Sequence, residues 1–293
     1  MTKKQAYLLA AIGAALWGII GYFVQGLNEA GFTPWQIVAI RVVFSAIILL
    51  CFLAIHYPEL LKIQRKDIVY FIGTGIVSFV FFNWCYFTVM EATSLSLAVV
   101  LLYTGPLFVT IFSRFLFREI LTPRKISALI FTFIGCAFTV GWLPYFQMDI
   151  SFSLLIIGIG SGFFYSLYTI FGKYASHSYH SLTITTYSFV CASVLMIPTS
   201  GLVKDAAIFL KGEVLFYAIG LALFPTVLGY ILYTKSLSYI ESSRASILTT
   251  IEPAVAILTG VMLFGDAFTS WQLFGMILVL SSVFLIAERK KRE

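Results

Sequence analysis

Long unbroken apolar runs separated by short polar turns dominate this chain. Read in windows of about 19 residues, the pattern predicts ten helical spans. They are Ala6–Gly26, Pro34–Ile55, Ile68–Met90, Leu95–Ser113 and Ile126–Trp142 in the first half. The second half gives Phe152–Gly172, Leu182–Ser200, Val214–Thr234, Ala245–Phe264 and Trp271–Ala287. These runs are apolar all round, not alternating with period two, which excludes a membrane β-barrel. In lipid every backbone N–H and C=O must be bonded within its own helix, so the connections stay short and polar. The expected fold is an all-α integral membrane protein with ten transmembrane helices.

Composition narrows the class further. Of 293 residues, 60% are apolar and 11% charged, whereas ordinary globular domains run about 45–50% and about 25%. A soluble enzyme, a nucleic-acid-binding protein and a secreted disulfide scaffold are therefore excluded. The net charge of +6 reflects basic residues placed between spans and at the ends. One side of the membrane receives Lys3, Lys4, Lys62, Arg65, Lys66, Arg114, Arg118, Arg124, Lys125, Lys173, Lys235, Arg244, Arg289, Lys290, Lys291 and Arg292. The other receives Lys204 and Lys211, a ratio of 16 to 2, with Arg41 inside a span. The positive-inside bias puts both termini in the cytoplasm and fits the plasma membrane of a bacterium, its inner membrane. The apolar run after Lys3 and Lys4 lacks a small-residue cleavage site and reads as a retained first helix, not a signal peptide. Cys51, Cys85, Cys136 and Cys191 lie in different spans with no CxxC spacing. Neither a metal site nor a cofactor is expected.

A shift of 147 residues aligns the two halves. It pairs Gly13 with Gly160, Gly73 with Gly220, Tyr86 with Tyr233, Ala98 with Ala245 and Pro106 with Pro253. Without a gap it continues through Phe117 with Phe264, Glu119 with Asp266 and Thr122 with Thr269. Residues 1–146 and 147–293 thus form two five-helix repeats of one membrane domain. Five is odd, so the copies enter the bilayer in opposite senses, as inverted repeats. A site at their interface can open to either side by two similar conformations.

The stretch from Tyr86 to Pro106 followed by Glu119 resembles the signature of EamA-type transporters, in the drug/metabolite transporter superfamily. Tyr233 to Ala245 and Pro253 to Asp266 repeat it, and Gly13, Trp17-Gly18 and Arg41 also look familial. The resemblance covers essentially the whole chain, with Gly265-Asp266 departing from the Glu of the first-copy turn. It implies ten helices around a central cavity lined by the first, third, fourth, sixth, eighth and ninth. It also implies alternating access and small organic solutes, often exported, without fixing which solute.

Glu252, inside the ninth span, is the sharpest single residue. An ionisable side chain at such depth marks a functional site by default. Beside Pro253, which frees a carbonyl one turn back, it suits a cation, a substrate ammonium or a shuttled proton. A protonated Glu bonded to a neighbouring helix is the competing structural reading. Arg41 is the other deep charge; a structural role, pairing with helix-end carbonyls or snorkelling, is favoured over binding a carboxylate. Asn83 with Tyr86, Tyr165 with Tyr168, and Tyr230 with Tyr233 are spaced by three, each pair on one helix face. With Trp17, these mid-span polar aromatics read as cavity walls, whereas Trp35, Trp142 and Trp271 read as interfacial belts. Pro106 and Pro253 are expected kinks, with Tyr103 and Thr249 as nearby contacts. Glycine runs at Gly13 and from Gly158 to Gly162 read as close helix packing, and His56, His177 and His180 as solvated span ends.

The function expected is a secondary transporter, chiefly an exporter, of small metabolites, with amino acids first in line. The alternative is a proton-coupled exporter of organic cations, amines or drugs. Neither a catalytic cluster nor a nucleotide-binding motif occurs, so an enzyme or ATP-driven pump is not expected. Partners are a small-molecule substrate, the lipid bilayer and, where Glu252 couples transport, protons. Nucleic acid is not among them, and oligomeric state is not written in the sequence.

Overall fold

The computed structural model describes residues 1–145, 150–202, 209 and 211–286. The repeat boundary at 146/147, Lys204, Ala287 and the basic tail Arg289, Lys290, Lys291 and Arg292 lie outside the described residues. Among those described, eight helices are long and apolar enough to cross a membrane. They are α1 (Lys3–Glu29), α2 (Pro34–His56), α3 (Arg65–Ala92), α4 (Leu95–Leu116), α6 (Phe152–Ala175), α7 (Ser181–Ser200), α8 (Gly212–Leu237) and α9 (Ser242–Phe264). Two further helices, α5 (Pro123–Thr139) and α10 (Ser270–Ile286), have 17 residues each and pack along one another. Thr132 donates to Ser282 across that pair at 3.1 Å.

Polarity is inverted relative to a water-soluble protein. Phe115, Phe152 and Phe284 are each 78% exposed, whereas Ser45, Thr74, Ser161, Ser166, Thr226 and Thr234 are fully or almost fully buried. Lipid is the solvent for the outer surface, and the interior carries the hydroxyls. Three of these hydroxyls return a hydrogen bond to a carbonyl three or four residues back: Thr74 to Tyr70 and Phe71, Ser161 to Gly158 and Ser166 to Phe163.

The helices are interrupted where prolines remove donors. α4 turns at Tyr103-Thr104 before resuming at Gly105-Pro106, and α9 turns at Thr249-Thr250 before Ile251. Hydroxyls cover the exposed carbonyls there: Thr104 donates to Leu101, Thr249 to Ser246 and Thr250 to Ile247. Widened, π-type turns run through Gly73–Val80 in α3 and Ala222–Leu228 in α8. Pro225 cannot bond the Leu221 carbonyl four residues back, and Thr226 Oγ1 donates to it at 2.7 Å instead.

Local features recur 147 residues apart. Backbone φ is positive at Arg118 and at Gly265. The Glu119 N–H bonds the Ser113 carbonyl, and the Asp266 N–H bonds the Gly260 carbonyl. Thr122 caps α5 and Thr269 caps α10 through the N–H three residues on. One expectation is corrected here: Lys125, assigned to a loop, lies in the first turn of α5. It is buried there because two carboxylates pair with it, Glu119 at 3.7 Å and Glu241 at 3.1 Å.

Candidate functional site

Seven aromatic rings converge along α1, α3, α6 and α8. Trp17, Phe79, Phe82, Tyr165, Tyr168, Tyr230 and Tyr233, with Ser78 and Thr169, line a narrow cavity of about 10 Å³, room for about one water. Trp17 lies 5.0 Å from Tyr230 and 5.3 Å from Tyr233, ring centre to ring centre. Tyr168 meets Tyr230 edge-on at 5.0 Å, and Phe82 meets Tyr165 at 5.5 Å. Edge-on contacts of this kind fix ring orientation as well as burying area. Two polar atoms of the wall, Trp17 Nε1 and Ser78 Oγ, find no hydrogen-bond partner among the described residues. A buried donor left unpaired is costly, and a single water in this space would relieve both.

A second cluster adjoins the first through Tyr165. Glu252 is half-buried, close in charge to Arg41, and its carboxyl meets the Tyr103 hydroxyl. Tyr86 and Tyr165 lie within the electrostatic reach of the same carboxyl. Equivalent positions of the two halves pack differently beside this carboxylate. Tyr165 presses on Gly105, where an added Cβ would sit 2.8 Å from its ring. The equivalent contact, Gly18 against Glu252, exchanges the sizes: Gly18 approaches the Glu252 carbonyl so closely that a Cβ would stand 2.8 Å away. A glycine in α1 thus lets the backbone of α9 and Val255 approach, as Gly105 makes room for Tyr165.

Arg41 departs from both structural roles expected of it. It neither snorkels nor binds helix-end carbonyls. Its Nε donates to Thr226 Oγ1 at 2.8 Å, and its guanidinium lies 5.3 Å from the Phe79 ring centre and 5.6 Å from that of Tyr230. The Thr226 hydroxyl, already turned inward to satisfy Leu221, and two π faces compensate the buried charge. The cation therefore stands directly behind two rings of the cavity wall.

Of the residues singled out from sequence, Trp17, Tyr165, Tyr168, Tyr230 and Tyr233 share the cavity. Tyr86, Tyr103, Thr249 and Glu252 share the adjoining cluster. Pro106 and Pro253 are buried just beyond the helix breaks. Asn83 is buried, but its amide donates to the Phe79 carbonyl of its own helix at 2.7 Å. Sequence reasoning missed Ser78, Phe79, Phe82 and Thr169. A usable signal existed: Phe79 and Thr226 are 147 apart, and both touch Arg41.

On one side of the cavity α6 and α8 are bonded together. Tyr168 pairs with Thr234 at 2.8 Å and Thr169 with Tyr233 at 2.7 Å, joining α6 to α8. A turn further on, the Lys173 ammonium donates to the Leu237 and Ile240 carbonyls.

A many-helix bundle with an apolar outer surface and an aromatic interior cavity defines a multi-pass membrane protein. Comparison with known proteins makes the class specific: the chain belongs to the EamA-like transporter family, whose model matches twice, over residues 4–141 and 152–287. The chain is 24% identical to the uncharacterized transporter YxxF of Bacillus subtilis (strain 168), over 99% of this chain and 91% of that protein. It is 26% identical to the uncharacterized inner membrane transporter YicL of Salmonella typhimurium (strain LT2), over 99% and 98%. It is 25% identical to the threonine/homoserine exporter RhtA of Escherichia coli (strain K12), over 82% and 77%. A solved crystal structure shares the fold with a TM-score of 0.78 at 13% identity, covering 97% of this chain and 96% of the other. The three named relatives are transporters or exporters by name, and the protein is not an enzyme.

Proposed function

We propose that this protein exports small zwitterionic metabolites, amino acids foremost, by alternating access through the aromatic cavity. The observation that carries this reading is one acidic and one basic group flanking the cavity: Glu252 in the cluster that adjoins it through Tyr165, and Arg41 behind Phe79 and Tyr230. A zwitterion presents an ammonium to the first and a carboxylate to the positive field of the second. Trp17 Nε1 and Ser78 Oγ offer further donors to that carboxylate. Two family matches in tandem and features recurring at 147 residues support two inverted five-helix repeats, 1–146 and 147–293, in one ten-pass domain. Helices α5 and α10, about 26 Å long at 1.5 Å per residue, reach the lower end of what a span requires. The distribution of basic residues supports cytoplasmic termini in a bacterial inner membrane. Likeness to an exporter named for threonine and homoserine supports both the direction and the solute class.

Counterflow in proteoliposomes against amino acids, amines and carboxylates tests the proposal. Zwitterions are expected to accelerate exchange, and Glu252→Gln to raise KM by about tenfold or more, the worth of a hydrogen bond to a charged group, while flux persists at high concentration. Exchange with amines alone, abolished together with its pH-gradient drive by Glu252→Gln, would instead make Glu252 the shared site of a proton/organic-cation antiporter.

A further inference from the structure

Glu119 lies outside the cavity, yet its surroundings are the most fully bonded of any carboxylate among the described residues. Its Oε1 accepts from the Ser242 N–H at 2.6 Å, and its Oε2 accepts from the Ser243 N–H at 3.2 Å and from the Ser243 hydroxyl. It thereby fastens the turn between α4 and α5 to the first residues of α9. Around it Lys125 bridges to Glu241, and Arg244 bonds Glu241, the Tyr7 hydroxyl and the Ile286 carbonyl. The bonded α6–α8 seam ends on this same face of the molecule.

The counterpart of Glu119 under the 147 shift is Asp266. Its turn is built the same way, with a positive φ at the preceding residue and an N–H bonded six residues back. Its target by the same shift is the start of α4, Leu95 and Ser96. That contact is not made: Asp266 is exposed, with a carboxyl oxygen resting against Gly260. The first turn of α4 is capped instead by its own Ser94, which accepts from the Leu97 N–H at 3.2 Å. One latch is therefore closed and its equivalent open.

We infer that Glu119 and Asp266 are reciprocal gate latches. In the state described, Glu119 holds α9 shut on the basic-residue face, while on the other face Asp266 is undocked and the start of α4 is tied through the Ser96 hydroxyl to the Val140 carbonyl at 2.6 Å. In the opposite state Asp266 docks on the N–H groups of Leu95 and Ser96, and Glu119 releases Ser242 and Ser243. Because each latch belongs to one state alone, it sets the balance between them without touching solute. The inference rests on the inverted-repeat, alternating-access reading given above.

Two single-cysteine reporters read the two gates: Ser246→Cys, buried one turn inside the docked end of α9, and Val99→Cys, its equivalent in α4. Purified full-length protein in nanodiscs is treated with a maleimide, and modification is quantified peptide by peptide by mass spectrometry, which separates the native cysteines. Glu119→Gln is expected to raise modification at 246 about tenfold, within the usual range of conformational coupling, and to lower it at 99. Asp266→Asn is expected to do the reverse, and both variants to slow counterflow. Glu119→Asp, retaining charge with shorter reach, should fall between and serves where Glu119→Gln does not fold. Unchanged modification at 246 in folded Glu119 variants, with solute exchange intact in the parent, would overturn the latch alone. Absence of any solute exchange by the parent protein would overturn the transport reading beneath it.

Discussion

Arg118 holds a left-handed backbone at φ 56°, where the equivalent position of the second half has Gly265 at φ 72°. A side chain in that region costs roughly 1–2 kcal/mol, a cost glycine escapes. Arg118→Gly is therefore expected to stabilise by up to about 1 kcal/mol, and Gly265→Ala to destabilise by about 1 kcal/mol. Tryptophan fluorescence during thermal unfolding in detergent reads both; equal losses in the two variants would mean the Arg118 side chain outweighs its backbone strain. At this scale the sequence disclosed what depth alone reveals. Glu252, the tyrosine pairs and Trp17 stand out because polar groups in apolar spans are expensive. The partner of Arg41 did not, because Thr226 lies 185 residues away and turns inward only when Pro225 frees a carbonyl.

Element positions were legible almost throughout, since a bilayer demands long apolar runs and short turns, and Pro106 and Pro253 marked where α4 and α9 break. The widened turn in α3 was not, since Gly73–Val80 contains no proline and leaves hydrophobicity unaltered. What distinguishes that segment is its packing. An added Cβ on Gly75 would lie 2.1 Å from the Ser188 carbonyl oxygen of α7, and beside it Thr74 and Ser188 share a hydroxyl contact at 2.5 Å. Backbone cannot yield as a flexible side chain can, so Gly75→Ala is expected to destabilise by about 1–3 kcal/mol. Gly21 in α1 meets nothing within 4 Å, and Gly21→Ala should be neutral or stabilising by up to about 1 kcal/mol through helix propensity. Unfolding midpoints of the two variants, measured side by side, separate close packing from a general intolerance of alanine.

Across the whole molecule, the two halves are joined on the basic face by a charged network that no sequence pattern announces, because its members come from four distant segments. Glu241 is central to it, pairing with Lys125 of α5 and Arg244 of α9. Burial pushes its carboxyl up, but the adjacent Lys125 and Arg244 cations more than reverse this, leaving it below its ordinary value of 4.5. A carboxyl depressed in the folded state contributes stability above its unfolded pKa and loses it as pH falls through the folded value. The thermal midpoint should therefore be level above about pH 6 and decline below about pH 4.5 as the network is protonated. Glu241→Gln removes the titrating group, so its midpoint should be lower at neutral pH and its acid limb shallower. Because the carboxyl is partly exposed, added salt should narrow the difference between the two proteins at neutral pH. Parallel pH curves for parent and variant would assign the acid limb to other carboxylates and leave Glu241 a bystander to the closure of this face.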